Sequence, residues 1–440
     1  MQTYFYELAD FIHAQTKSGE ITLTSLSAEE SNFVRFNKSA VRQAGSVKQI
    51  GVTISLIANA RRADSHLTLS GVAASDWASV AAALTNLRPV VAALAEDPYL
   101  LFNDQPQSTE HIGGSALPSD EAMLDQVLRA GHGVDLVGLF ASGTIYKGFA
   151  NSLGQRNWHQ VKNFNFEWCL YHTADKAVKN SYAGTHWVAG ELEEKMAASR
   201  EQLIILQRPP KILAPGRYRA LLSPTAINEI VGLLAWGGFG VKSQRTKQSP
   251  LLKLEDGTVA LHPSIALTEN AKEGVAAGFQ GDGFIKSASV DLIKGGKHVG
   301  SLVSPRSARE FGIATNGANG GEAPESLDMA AGMLARADAL KTLDTGLMIG
   351  NLWYLNYSDR MGCRMTGMTR FATFWVENGV IEAPLNVMRF DDSAYRMLGD
   401  NLLALTRERD WILDSGSYGE RSTGSARLPG ALIKDFALTL

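Results

Sequence analysis

The chain has 440 residues, 45% hydrophobic and 20% charged, which is enough for a sizeable core and more than one domain. Its formal net charge is −3 with both signs mixed along the chain, so no basic block marks a nucleic-acid partner. No apolar run reaches the ~18 residues that span a bilayer, and the first residues show no basic segment leading into an apolar core, so neither membrane contact nor a signal peptide is expected.

Phe5, Leu8, Ala9 and Ile12 follow helical spacing and predict an opening amphipathic helix. Ile21 to Ser27 reads as a strand. Ile50, Val52, Ile54 and Leu56 alternate with small or polar residues, as a half-buried strand does, and His66 to Ser70 is its expected antiparallel partner. Asp76 to Glu96 is rich in Ala and Leu and reads as helix, with Pro89 a candidate kink. Asp97 to Asp120 gathers prolines and glycines and reads as a long loop or linker. A short helix is expected from Asp120, then strands at Val134 to Phe140 and at Thr144 to Ser152. Phe164, Phe166, Trp168 and Leu170 alternate as on one face of a sheet, an aromatic stripe that reads as core. Gly190 to Gln207 reads as helix, and Pro209, Pro210 and Pro215 mark a boundary.

Beyond that boundary Ser223 is a good N-cap and Pro224 suits the first helical position, where a missing N–H costs nothing. Ile227, Ile230, Val231 and Leu234 form one apolar stripe, and Gly237-Gly238 ends the helix. Short strands and glycine turns follow. Phe284 to Ile293 and His298 to Val303 flank Gly295-Gly296, and Phe371 to Val376 and Val380 to Ala383 flank Glu377-Asn378-Gly379, two expected hairpins. The chain shows no fixed-period repeat. The predicted fold class is α+β. Residues 1–215 form an N-terminal α/β region with a mixed or antiparallel sheet, flanking helices and a candidate sub-boundary in linker 97–120. Residues 216–440 form a β-rich domain with antiparallel sheets.

Several segments together resemble one family. They are Arg35-Phe36-Asn37-Lys38-Ser39, Ala150-Asn151-Ser152-Leu153-Gly154, the helix from Ser223 to Leu233 and Phe279-Gln280-Gly281-Asp282-Gly283. Further on come Ala314-Thr315-Asn316-Gly317, Thr366-Gly367-Met368-Thr369-Arg370, and Phe374 to Ile381 followed by Pro384. Their order along the whole chain resembles the TldD/TldE family, also called PmbA or modulator of DNA gyrase. The resemblance implies a peptidase system in which the TldD-type subunit carries zinc on a His-Glu-x-x-x-His helix plus a later cysteine. The TldE-type subunit lacks that motif and pairs with it.

On that comparison Asn228-Glu229-Ile230-Val231-Gly232-Leu233 occupies the motif, with the Glu and Gly in place and neither histidine. Zinc needs imidazole nitrogen, thiolate or carboxylate, so Asn228 is a poor ligand and Leu233 is none. The late cysteine falls at Tyr418, again no thiol. Glu229 then has no metal-bound water to activate, and its plain reading is a first-turn acid favoured by the helix dipole. The glycines near Gly278 to Gly283 read as a turn between strands, since no Lys-Ser/Thr ending follows. Asn316 and Gly317 are candidate peptide-cleft residues by the resemblance. Cys363 lies between Arg360 and Arg364, which would favour a thiolate, so it is a candidate reactive thiol; Cys169, inside the aromatic strand, reads as packing. The nine histidines include no pair at i, i+2 or i, i+4, so none forms a local chelate.

The expected function is a non-catalytic TldE/PmbA-like subunit of a cytoplasmic TldD/TldE-type metallopeptidase system, with no metal or cofactor of its own. Zinc is expected only on a TldD-type partner, and a peptide or unfolded protein is the shared substrate. With only two distant cysteines, a reducing compartment is consistent with this. The alternatives are a hydrolase with an unrecognised metal or Cys363 site, and a homodimeric peptide-binding protein without a peptidase partner. Metal content and native mass discriminate among the three.

Overall fold

The computed structural model describes residues 1–173, 176–417 and 419–440. The first half is built on a seven-stranded sheet. Its strands are β1 (Ile21–Asn37), β2 (Ala40–Ala58), β3 (Arg61–Leu69), β4 (Thr109–Ile112), β5 (Asp135–Asn151), β6 (Arg156–Thr173) and β7 (Lys176–Gly184). The order is β3-β2-β1-β5-β6-β4, with β7 also pairing β6, and every pairing is antiparallel except β4 with β6.

Period-2 alternation decides what each face of this sheet does. Ile50, Val52, Ile54 and Leu56 on β2 and Tyr146 and Trp158 on β5 and β6 pack with Phe5, Leu8 and Ile12 of α1 (Gln2–Ala14) and with α2 (Ala73–Ala93). Further along the same face, Phe164, Phe166, Trp168 and Leu170 lie with Met123 and Val127 of α3 (Asp120–Gly131) and Leu192 and Met196 of α4 (Ala189–Leu206). The odd-numbered residues of β5 and β6 point the other way. Ile145 and Val161 meet Val275 and Leu413, and Phe149 meets Ala277 and Phe279, so this face docks onto the second half of the chain.

The strands expected at Val134 to Phe140 and Thr144 to Ser152 are one strand, β5. Gly143, between the two expected segments, has φ +146 and lies so close to β1 that a Cβ there would sit 2.2 Å from the carbonyl oxygen of Glu30. It marks close approach rather than a turn. The stretch from Asp97 to Asp120 also holds the short strand β4, which pairs in parallel with β6.

The second half carries an eleven-stranded sheet: β8 (Gly216–Leu222), β9 (Leu267–Glu269), β10 (Val290–Lys294), β11 (Lys297–His298), β12 (Ser326–Met329), β13 (Gly346–Asp359), β14 (Arg364–Glu377), β15 (Val380–Pro384), β16 (Arg389–Ser393), β17 (Leu402–Leu413) and β18 (Ser425–Leu438). Its path runs β11-β10-β9-β12-β18-β16-β14-β13-β8, and an additional β18–β8 pairing closes five of these strands into a ring. Most pairings are antiparallel; β12–β18 and β13–β8 are parallel. The whole is α+β, with helices on one face of the first sheet and a β-rich second half. The Gly295-Gly296 turn joins β10 to β11, with strands shorter than expected, and Asn378-Gly379 joins β14 to β15 with both residues at positive φ. No helix among the described residues is long and apolar enough to cross a membrane.

Candidate functional site

The helix after β8, α5 (Pro224–Ala235), begins as the sequence predicts. The Ser223 hydroxyl accepts from the Ala226 N–H at 3.1 Å, and Pro224 takes the first turn. Ala226, Ile227, Ile230, Val231 and Leu234 are each at most 1% exposed and pack into the main core of the second half. The helix lies on β13 and β18. That burial fixes its rotation and turns the opposite stripe, Thr225, Asn228, Glu229, Gly232 and Ala235, into the wall of a cleft of about 410 Å³.

The facing wall comes from the odd-numbered face of β6 and from β7: Asn165, Glu167, Lys179, Asn180 and Ser181. The alternation that buries the aromatic stripe of β6 under α3 and α4 is what presents these polar groups. The Lys179 ammonium lies 2.8 Å from the Glu167 carboxylate. The end of β17, the start of β18 and Asp414, Ser415 and Gly424 between them complete the rim. Arg421 ties this connection down. Its buried guanidinium donates to Ser31 Oγ at 3.3 Å and to the side chain of Asn163, its backbone N–H donates to Glu29 at 3.2 Å, and burial pushes its pKa down to about 10.

Asn351, Trp353 and Phe371 reach the cleft through irregular backbone. The β13–β14 register breaks between Ile349 and Asn351 and again between Trp353 and Asn356, and Phe371 has φ +56, a costly conformation for a bulky side chain. The Arg370 guanidinium stacks 4.1 Å from the Trp353 ring. Asn351 is 6% exposed, lines the cleft, and its Oδ1 has no hydrogen-bond partner among the described residues. Ser425 Oγ, also on the wall, is likewise unpartnered. Buried polar groups are normally paired, so two on one cavity wall point to a hydrogen-bonding ligand or ordered water there.

The motif positions divide. Asn228 and Glu229 face the cleft. Leu233 is 8% exposed in the core, its carbonyl accepting the Tyr357 hydroxyl at 2.8 Å. Tyr418 lies outside the described residues. Glu229 is not a first-turn acid: it is the sixth residue of α5, beyond the turn where the helix dipole acts, and it stands in the cleft instead. Although water reaches it, the enclosing walls raise its pKa above the ordinary carboxyl value through desolvation, which the Lys179 ammonium partly offsets and Glu167 reinforces.

The structure does not bring the other candidates to the cleft. Asn316 is spent on its own loop, accepting from the Val303 N–H at 2.9 Å and donating to the Ser301 carbonyl at 2.8 Å. Gly317 is buried at φ +75, where a Cβ would meet the Ile285 carbonyl at 2.5 Å. Both shape a turn away from the cleft wall. Cys363 is fully buried at the β13–β14 turn, and burial pushes its thiol up to about 12, outweighing Arg360. Cys363 is therefore a packed neutral thiol and not the candidate reactive one. Cys169 is half-buried beside Lys179 and Glu167, its thiol pushed up to about 11 by burial. Phe279 to Gly283 is a turn, with the Gly283 N–H donating to the Gln280 carbonyl at 3.0 Å. One distant histidine pair does meet, His111 and His159, whose rings stack at 5.0 Å away from the cleft wall.

The donor set does not fit zinc. Among the described residues the wall offers Asn228 and the carboxylates of Glu167, Glu229 and Asp414, with no imidazole or thiolate, and an ammonium already compensates Glu167. No group of three or more His, Cys, Asp and Glu side chains is gathered to hold a metal ion among the described residues. Chemically the cleft is a polar groove with one carboxyl biased toward its protonated form and unpaired hydrogen-bonding groups.

The fold is that of a group of solved structures that the chain matches over 99% of its length. They include a protein described as a modulator of DNA gyrase from Thermotoga maritima, with TM-score 0.77, 14% identity and 100% of that chain covered. TldE from Thermococcus kodakarensis has TM-score 0.78, 12% identity and 100% covered. Another protein described as a modulator of DNA gyrase, from Bacteroides thetaiotaomicron, has TM-score 0.73, 13% identity and 98% covered. No curated protein matches by sequence. Residues 215–440 match the model of the PmbA/TldA metallopeptidase C-terminal domain, and the chain belongs to the TldD/TldE/PmbA family.

Proposed function

We propose that this chain is a non-catalytic, TldE-like subunit of a cytoplasmic TldD/TldE-type metallopeptidase system, binding or enclosing an extended peptide beside a zinc-bearing partner chain. The observation that carries the reading is the rotation of α5. It sets Asn228 and Glu229 on the wall of the cleft and Leu233 in the core, so the two residues at the motif's histidine positions neither converge on the cavity nor offer zinc ligands, which supports a subunit without its own metal. The unpartnered Asn351 and Ser425 side chains suit the N–H and C=O groups of a peptide, which any sequence supplies. A zinc-bearing TldD-type partner would supply the polarised water that the donor set here cannot hold.

The test is co-expression with a TldD-type chain from the same source, followed by native mass and peptide cleavage. The reading expects a complex containing both chains, with cleavage by the complex and by neither this chain alone nor a complex made with a partner stripped of its zinc ligands. Cleavage by this chain alone that a chelator stops would overturn it.

A further inference from the structure

A second cavity, about 370 Å³, lies under α4 and opens from the first; Lys179, Asn180 and Thr225 line both. Its volume falls within the roughly 300–1,000 Å³ of small-ligand pockets. The floor is apolar: Leu221, Met348, Ile349, Leu340 and Ile381. The roof is one stripe of α4, carrying Glu191, Glu194, Lys195, Ala198, Glu201 and Ile205 at helical spacing. The other stripe of α4, with Leu192, Met196, Leu203 and Leu206, is already buried against the first sheet. The helix therefore cannot roll to cover the apolar floor without exposing its own core side, and the space beneath it stays open.

Four carboxylates, Glu191, Glu194, Glu201 and Asp410, line this chamber against three cations, Lys179, Lys195 and Arg336, and Lys179 is held by Glu167 in the main cleft, so the surplus is acidic. Lys195 lies 2.8 Å from Asp410, and Arg336 pairs with the same carboxylate. That leaves Glu191, Glu194 and Glu201 facing the chamber without an ion pair among the described residues. Burial raises the pKa of Glu191, an effect that the nearby Lys195 and Arg336 cations offset only in part. The complement of an apolar floor under an acidic roof is an apolar side chain next to a basic one.

Resting on the reading of the main cleft as a peptide site, we propose that the chamber under α4 is a specificity subsite. It takes a large apolar side chain of the bound peptide, with an adjacent Lys or Arg facing the α4 carboxylates. An extended peptide in the cleft would pass a side chain between Thr225 and the Lys179–Asn180 segment of β7 to reach it.

Fluorescence anisotropy with the full chain tests this, using two labelled peptides of equal length: an Ala-rich reference and the same peptide with a central Phe-Lys. The Phe-Lys peptide should bind at least about tenfold more tightly, the effect of burying one large apolar group. Ala198→Trp, at an exposed roof position that should not disturb folding, should fill the chamber and bring that ratio to about one. Glu194→Gln should reduce the advantage of Lys over Gln in the peptide. Equal binding of the two peptides to the wild type, or a ratio unmoved by Ala198→Trp, overturns the subsite. A dansylated alkylamine probes the chamber without a peptide. Saturable binding that Ala198→Trp abolishes supports the chamber even where no peptide binds, and that combination sinks the peptide reading of the main cleft instead. No saturable binding of either ligand overturns the inference itself.

Discussion

Gly232 separates the stability of α5 from the use of the cleft. It sits within the helix on the cleft-facing stripe, and a Cβ built there meets nothing within 4 Å. Glycine in a helix interior is about 1 kcal/mol worse than alanine, and position 232, near the helix end, should recover ~0.5–1 kcal/mol in Gly232→Ala. At roughly 2–4 °C per kcal/mol for domains of 150–250 residues, the melting temperature should rise by about 1–4 °C. Gly232→Trp starts from the same open position but directs an indole into the 410 Å³ cleft. It should fold, with a melting temperature near that of the wild type, and weaken binding of an Ala-rich peptide at least about tenfold by occupying the site. Differential scanning fluorimetry and anisotropy on the same preparations read both effects. A destabilised Gly232→Ala would mean that the position is not open, and wild-type binding by a folded Gly232→Trp would mean that the cleft is not the peptide site.

Glu229 should make stability pH-dependent. Its folded pKa is raised above the ordinary 4.5, so the folded state holds its proton where the unfolded state has lost it. Stability should therefore fall as pH rises from 4.5 through the raised value, and Glu229→Gln should lack that part of the fall in urea titrations across the window; identical pH profiles would refute the assignment. Arg421→Met should cost about 1–3 kcal/mol, since it removes the donor to the buried Asn163 side chain and the guanidinium near Glu29, while the hydrogen bonds to Glu29 from Ser31, Gln49 and the residue-421 N–H remain. A denaturation midpoint little changed from the wild type would show that the connection after β17 is not anchored through this residue. Cys363 should resist a thiol reagent in the native protein and react once it is unfolded; rapid native labelling, resolved by peptide mapping from that of Cys169, would contradict its burial.

What the sequence showed was whatever side-chain periodicity controls. Ser223-Pro224 and the Ile227, Ile230, Val231, Leu234 stripe placed α5 and its buried side, and the aromatic alternation of β6 showed which residues lie under helices. The same alternation assigns Asn165 and Glu167 to the opposite face, so half of the cleft wall was written there, but only the docking of the two halves shows what that face meets. Asn351 and Phe371 were beyond reach because a register break and a left-handed backbone aim them, and neither has a repeating signature. Asn316-Gly317 misled for the opposite reason: a turn that needs positive φ and a side-chain clasp uses the same residue types as a ligand loop. Cys363 stood as a candidate thiol because sequence neighbours display charge, while burial, invisible in the sequence, sets the thiol.

The central claim is that the cleft beside α5 holds peptide without cutting it. The direct measurement follows one labelled peptide with the purified chain alone, recording anisotropy and, by mass spectrometry, the fate of the peptide, with added zinc and with chelator. The account predicts saturable binding, an intact peptide in every condition, and loss of binding in Gly232→Trp. Cleavage that zinc supports and chelator stops would contradict it.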